Sequence, residues 1–278
     1  MYEKIITHSG QAHRDDFLAC CLLLAAAGAP IIERRNEVSE TELSDPKVAV
    51  VDIGGQFNSK LNNFDHHHDS SLPCSLHLVA SAIFGRSDFF DVFPWWNNLN
   101  IQDTQGFPKL ARNYGLEPRQ LQELGDPIGG IILQEFSKIK EITWPLSGHE
   151  VTRPESPLYS IMRSIGEHII DSIHKFEDHL SEMQVDEYDG IQVAITRKKA
   201  NIARFAFARQ HGLNIVIAPN ERGPGFTLTR VDNAPDADID FRRCEGMEGV
   251  TFIHHTGFMC VVENDNWNWR PYVKKAFS

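Results

Sequence analysis

Along the first half of the chain, strand-length apolar runs alternate with apolar segments of helical length. Residues 4–8 (KIITH) form the first short run, SGQAHRDD follows, and residues 17–28 (FLACCLLLAAAG) read as a buried helix. Residues 47–53 (KVAVVDI) are dense in valine and read as a central parallel strand ended by Gly54 and Gly55. Residues 56–71 read as a polar loop, 76–84 (LHLVASAIF) as a helix, and 97–106 (NNLNIQDTQG) as the end of an element followed by a turn. This βαβα order predicts an α/β fold with a doubly wound, mainly parallel sheet.

The pattern changes after residue 146. Residues 147–157 (SGHEVTRPESP) have no apolar period and hold two prolines, which marks them as a linker. A long amphipathic helix is expected over 158–183, where Leu158, Ile161, Met162, Ile165, Ile169, Ile173, Phe176, Leu180 and Met183 recur every three or four positions. Ser156 and Pro157 would supply its cap and first turn. Strands are expected at 190–196, 214–218, 226–231 and 250–254, with a helix at 201–210 between the first two. The expected layout is an N-terminal domain over 1–150 and a smaller α/β domain over 151–278, joined by the long helix.

Composition narrows the class. With 278 residues, 41% hydrophobic and 23% charged, the chain is globular and long enough for two domains. Lys plus Arg is 27 and Asp plus Glu is 38, a net charge of −11 that excludes a general nucleic-acid coat but leaves room for a local basic cleft or a metal site. Cys20, Cys21, Cys74, Cys244 and Cys260 are odd in number and irregular in spacing, neither a disulfide framework nor a zinc pattern. That usage favours a reducing compartment. No signal peptide is read at the start, and 17–28 is too short to span a bilayer, so a cytoplasmic protein without a membrane partner is expected.

Imidazole and carboxylate groups collect at the ends of the expected strands: His8, His13, Asp15 and Asp16; Asp52; Asp65, His66, His67 and His68; and Asp103. Singly, Asp52 reads as a turn former, Asp15 and Asp16 as a favourable helix start, and Asp103 as a cap. Together they can converge, because open parallel sheets bind ligands outside the carboxyl ends of their strands. Such a donor set suits Mn²⁺, Fe²⁺, Zn²⁺ or Co²⁺, and its carboxylates also suit Mg²⁺. The donors exceed the needs of one ion and match two sharing a bridging aspartate, an arrangement that activates water and stabilises the attacking and leaving oxygens of a phosphoryl displacement.

These residues resemble the DHH phosphoesterase superfamily, whose Asp-His-His motif corresponds to Asp65-His66-His67. Within it the chain is most similar to the Myg-type (melanocyte-proliferating-gene) family, once called metal-dependent protein hydrolase and associated with 3′–5′ RNA exonuclease activity. THSGQAHRDDFLA, VVDIGGQFNSKLNNFDHHHDSS, the weaker IQDTQG and, near the end, FIHHTGF carry the likeness in order along the chain. The resemblance implies that His8, His13, Asp15, Asp52, His66 and Asp103 hold the metals, with Asp52 bridging. It implies that Asp65 orients a ligand from behind, that His67 reaches the substrate phosphate, and that His254 and Gly257 close over the substrate. His13 stands where most of the superfamily has aspartate, and Asp16 and His68 stand where Glu and Gln are common.

The expected activity is divalent-metal-dependent hydrolysis of phosphodiester bonds, as a 3′–5′ exonuclease on RNA or short oligonucleotides, with two ions, Mn²⁺ foremost. Asp52, Asp65 and His67 carry the chemistry in this reading. Arg204 and Arg230, with Arg197, Lys198 and Lys199, are candidates for a phosphate track. Trp95, Trp96, Trp267 and Trp269 read first as packing residues and second as base-stacking platforms. Three rivals stay open: a small nucleotide or dinucleotide as substrate, a metal- or nucleotide-binding regulator without turnover, and a structural metal site. The sequence is also compatible with a homo-oligomer.

Overall fold

The computed structural model describes residues 2–27, 31–87, 93–123, 126–138, 141–142, 157–231, 239–264 and 266–277. The expected linker falls outside these residues, except for Pro157. The chain divides into two compact units, Met1–Asp171 and Ser172–Ser278. The division falls inside the long helix.

The first unit is built on a mixed six-stranded sheet: β1 (Lys4–His8), β2 (Ile31–Arg35), β3 (Val48–Val51), β4 (Phe57–Asn58), β5 (Asn63–Phe64) and β6 (Glu141–Ile142). Its order is β4-β5-β3-β1-β2-β6, with β5, β3, β1 and β2 parallel and β4 and β6 antiparallel at the two edges. The chain passes from β1 to β2 on one side, then crosses to β3 on the other. The connection reverses between β1 and β3, which opens a crevice outside their carboxyl ends.

Helix α1 (Arg14–Ala27) follows β1. Ala19, Cys20, Cys21, Leu22, Leu23 and Leu24 are all fully buried, so the middle of the helix is apolar all round and enclosed on every side. It packs on β1 and β3 and against α3 (Ser75–Phe84), which follows a short α2 (Glu40–Leu43). Beyond lie α4 (Pro94–Gln105), α5 (Phe107–Asn113), α6 (Pro118–Glu123) and α7 (Pro127–Lys138). Two expectations are corrected. Residues 56–71 are not a plain loop, because β4, a 3₁₀ turn and β5 lie within them; Asn62 turns the chain between the strands in a left-handed conformation. Asp103 lies not in a turn but in the last turns of α4, which starts on Pro94 and ends at Gly106.

Helix α8 (Pro157–Ser181) realises the long amphipathic helix, with Leu158, Met162, Ile169, Ile173 and Phe176 buried. The second unit carries a mixed sheet of β7 (Gln184–Tyr188), β8 (Ile191–Ile195), β9 (Ile215–Pro219), β10 (Phe226–Arg230), β11 (Val250–Ile253) and β12 (Met259–Val262), ordered β11-β12-β10-β9-β8-β7. Only β8 and β9 pair in parallel, joined through α9 (Arg204–Gln210). Ile215, Ile217, Phe226 and Leu228 form one core with Trp269, which precedes the last helix α10 (Arg270–Phe277), and with Tyr272 and Val273 of that helix. Trp269 is thus a packing residue. All five cysteines are buried and unpaired, and among the described residues no helix is long and apolar enough to cross a membrane.

Candidate metal centre

Three parallel strands deliver the donors to one edge of the first sheet. His8 is the last residue of β1, Asp52 follows β3, and Asp65, His66 and His67 follow β5. The isoleucines of β1 and the valines of β3 bury those strands, and with them Asp52, Asp65 and His66; His8 is half-buried and His67 is exposed. Asp52 has φ +58°, a left-handed conformation that costs a non-glycine residue energy and turns the chain sharply off the strand. Helix α1 begins within the same crevice and buries Asp15 and Asp16 in its first turn. Asp103 arrives from α4.

Asp52 stands in the middle. Its Oδ1 lies 3.2 Å from His66 Nε2 and 3.7 Å from His67 Nδ1, and its Oδ2 lies 3.5 Å from His8 Nε2. Ser75 Oγ donates to Oδ1 at 2.9 Å and fixes the rotamer. Asp103 Oδ2 lies 2.9 Å from His66 Nε2, and its Oδ1 lies 3.9 Å from His13 Nδ1. These contacts are close but lack hydrogen-bond direction: Nε2 of His8 and of His66, both oxygens of Asp15, Oδ2 of Asp52 and Oδ2 of Asp103 are buried without a hydrogen-bond partner. Buried polar atoms are rarely left so. Three overlapping donor groups result, His8–His13–Asp52, Asp52–His66–His67 and His13–Asp15–Asp103, each with ligand atoms within 4.8 Å of one another.

The charge balance explains the tension. Burial first, then the charges of Asp52, Asp103 and Asp16, drives the Asp15 carboxyl well above its usual range. Burial and Asp52 push Asp16 up to about 7 against the pull of Arg34. Burial alone would lower the His66 imidazole, but contacts with Asp103 and Asp52 outweigh it and raise it to about 10. Burial would raise Asp52, yet His66, His67 and Ser75 hold it below the ordinary carboxylate value. A divalent cation fits this donor set: orphaned oxygen and imidazole donors, crowded carboxylates and mixed N/O chemistry are what such an ion neutralises. A cavity of about 300 Å³ opens beside His13, Asp15 and Asp103.

The remaining polar groups hold these donors in place. Asp65 Oδ1 accepts from the His67 backbone N–H at 3.0 Å and lies 2.7 Å from His67 Nδ1, while its Oδ2 accepts from the Gly55 N–H at 2.7 Å. Asp65 therefore orients His67, which leaves His67 Nε2 for another partner. Asp16 Oδ1 accepts from the His13 N–H at 2.7 Å, and its Oδ2 lies 3.8 Å from buried Arg34. Sequence reasoning missed Arg34 and Ser75. In β2 (IIERR) Arg34 shares the alternating inward face with Ile32, which was the signal available for it.

The other expected site residues belong to the second unit. His254 and Gly257 bracket the turn between β11 and β12, where the Gly257 N–H donates to the His254 carbonyl at 2.8 Å and His254 Nδ1 lies 2.9 Å from Thr256 Oγ1. Gly257, at φ +72°, lies so close to the Asp240–Arg242 pair that a Cβ would fall 2.0 Å from Asp240 Oδ1. Arg204 Nη1 donates to Glu221 at 2.9 Å, Arg230 Nη1 donates to the Ile239 carbonyl at 2.9 Å, and Lys198 pairs with Asp178. The Arg197 guanidinium lies 3.9 Å from the Trp267 ring centroid.

An α/β unit with acidic and imidazole donors gathered at the carboxyl edge of its parallel strands defines a candidate cation-binding protein. Residues 4–73 match the family model MYG1_exonuc, described as "Uncharacterised protein family (UPF0160)". That segment holds His8, His13, Asp15, Asp52, Asp65, His66 and His67, and stops short of Asp103 and of the second unit. No curated protein matches the chain. Among solved structures, the chain is similar to a pGpG-specific phosphodiesterase, PggH, from Vibrio cholerae, with 13% identity over 96% of this chain and 94% of that one at a TM-score of 0.28. It is also similar to an uncharacterized protein from Helicobacter pylori G27, with 12% identity over 98% and 97% of the two chains at a TM-score of 0.22. Likenesses this remote carry no argument about fold or activity.

Proposed function

We propose that this chain is a divalent-metal-dependent phosphoesterase that hydrolyses phosphodiester bonds, acting as a 3′–5′ exonuclease on RNA or short oligonucleotides. The observation that carries the reading is the set of buried, unpartnered donors on His8, Asp15, Asp52, His66 and Asp103 in one crevice. The family-model match over the segment that supplies most of them supports it. Two Mn²⁺ ions are the proposed cofactor, held by His8, His13, Asp15, Asp52, His66 and Asp103 with Asp52 shared. When bound, they supply Lewis acidity at the phosphoryl group and make water acidic enough to react near neutral pH.

The protein's own residues do the rest. Asp52, its carboxylate held by Ser75 and its backbone set by the left-handed turn, is fixed before any ligand arrives. Asp65 engages His67 Nδ1 and fixes the ring, which leaves Nε2 as the proposed contact with a phosphate oxygen. Asp16 and Arg34 clamp the segment between His8 and His13. His254 and Gly257 are the proposed substrate contacts of the second unit.

A second reading, that the substrate is a small nucleotide or dinucleotide, has its own support. The net charge is −11, and Arg204 and Lys198 are already paired with acidic side chains, which suits a short substrate better than a tracked polymer. Turnover of oligonucleotides of increasing length with manganese separates the readings: rates sustained beyond a few nucleotides favour the exonuclease, and a collapse after the dinucleotide favours the second. Asp52→Asn keeps a residue that tolerates the left-handed backbone and removes the charge, so it should abolish manganese-dependent turnover with the circular dichroism spectrum intact. Undiminished turnover would refute the role given to Asp52.

A further inference from the structure

A second cavity, of about 550 Å³, adjoins the metal centre within the first unit and shares Arg14, Leu99, Gln102 and Phe107 with the smaller cavity beside His13, Asp15 and Asp103. Its character is different. Helix α4 turns Trp95, Asn98, Leu99 and Gln102 onto one side at helical spacing, and Phe107, Leu110 and Tyr114 of the next segment complete the wall. Trp95 is 43% exposed and Tyr114 53% exposed, a large aromatic outlay for surface rings. Trp95 is also braced from behind: its ring centroid lies 5.2 Å from that of fully buried Trp96 and 5.7 Å from that of Phe93. The amides of Asn98, Gln102 and Gln122 sit among the rings, and the Asn98 amide donates to the Tyr114 hydroxyl. The sequence treats Trp95 and Trp96 as one packing pair; the structure divides them into a buried support and an exposed face.

The geometry points to a nucleobase pocket: the 550 Å³ cavity takes the base of the nucleotide whose phosphate lies at the carboxylate cluster. Resting on the phosphoesterase reading of that cluster, it places base recognition on α4, the same helix that carries Asp103. Trp95 and Asp103 are eight residues apart, about 12 Å of helix rise, comparable with one nucleotide from base edge to phosphate. The volume falls in the range of small-ligand pockets, and aromatic faces with a few convergent amides are what a base requires: stacking on the rings, hydrogen bonds at the edge. Asp103 and His13 would then lie on the phosphate side of the shared wall and Trp95 and Tyr114 on the base side.

The test compares adenosine 5′-monophosphate with ribose 5-phosphate, which has the same phosphate and sugar but no base, by calorimetry on the full chain with manganese. The wild type should bind the nucleotide at least tenfold more tightly. Trp95→Leu and Tyr114→Leu, both at exposed positions, should each weaken nucleotide binding about tenfold and leave ribose 5-phosphate binding unchanged, with melting temperatures near that of the wild type. Equal affinity of the wild type for the two probes would overturn the pocket, as would a folded Trp95→Leu variant that still discriminates between them. The two readings fail separately. Discrimination that depends on Trp95 without any phosphodiester cleavage would keep the pocket and remove the enzyme; cleavage without discrimination would do the reverse.

Discussion

Replacing Asp15 by Asn should stabilise the metal-free protein and weaken its response to metal. An oxygen of Asp15 lies within 4.8 Å of one of Asp103, and Asp15 is 1% exposed. Two unit charges at that distance repel by about 3.5 kcal/mol at an effective dielectric constant of about 20. A proton on Asp15 discharges part of this, because burial and then its three acidic neighbours favour the neutral form. A gain of about 2 kcal/mol remains for an amide, which is never ionised and whose N–H groups can donate to Asp103. For a folding unit of this size that corresponds to roughly 4–8 °C in melting temperature. The assay is thermal unfolding followed by circular dichroism, in chelator and then across a manganese titration. In chelator the Asp15→Asn variant should melt above the wild type. The wild type should then gain about 2.7 kcal/mol once manganese reaches a hundred times its dissociation constant, and the variant much less. A variant that melts below the wild type in chelator, or that gains as much from manganese, would refute the idea that the carboxylates are crowded in order to hold a cation.

Gly166→Ala should destabilise the first unit by about 1–3 kcal/mol even though alanine is the better helix former, because the added Cβ would lie 2.0 Å from the Cys21 carbonyl oxygen of α1; urea unfolding reads this, and a neutral or stabilising result would contradict the close helix approach. Arg34→Met should cost about 3–5 kcal/mol, since it leaves Asp16 buried without its cation, and the same unfolding measurement checks it. The Arg242 guanidinium holds the Asp240 carboxyl down to about 2. This depressed value favours the fold above the ordinary aspartate pKa near 4, and the contribution fades as pH falls from about 4 through 2. Asp240→Asn should therefore flatten the acid limb of the stability profile between those values and leave the profile above pH 5 parallel to that of the wild type.

The sequence was most legible where one physical demand dominated. The span read for the first strand, residues 4–8, coincides with β1, and residues 47–53, read as a central parallel strand, contain β3, buried along its whole length. Helix α1 was legible from its unbroken apolar run. Elements that depend on neighbours were not. β4 and β5 are two residues each; β5 exists because β3 offers it an edge, and β4 because β5 does. β7 (QVDEY) has an exposed, charged alternation that carries little apolar signal. Helix α4 was read as a turn at Asp103 because NNLNIQDTQG is poor in strong helix formers; its stability rests on Trp96 and Leu99, which are buried by tertiary packing. The metal-ligand candidates were visible as residue types at strand ends, while the groups that aim them, Ser75 on Asp52 and Arg34 on Asp16, carry no motif and become apparent only through contact.

The left-handed bend at Asp52 carries an evolutionary corollary. Glycine would adopt that conformation without cost, so the fold alone has no reason to keep an acid there. A lineage that abandoned the chemistry would drift toward glycine at this position and gain stability, and a lineage that kept it would go on carrying an awkward backbone for the sake of one negative charge.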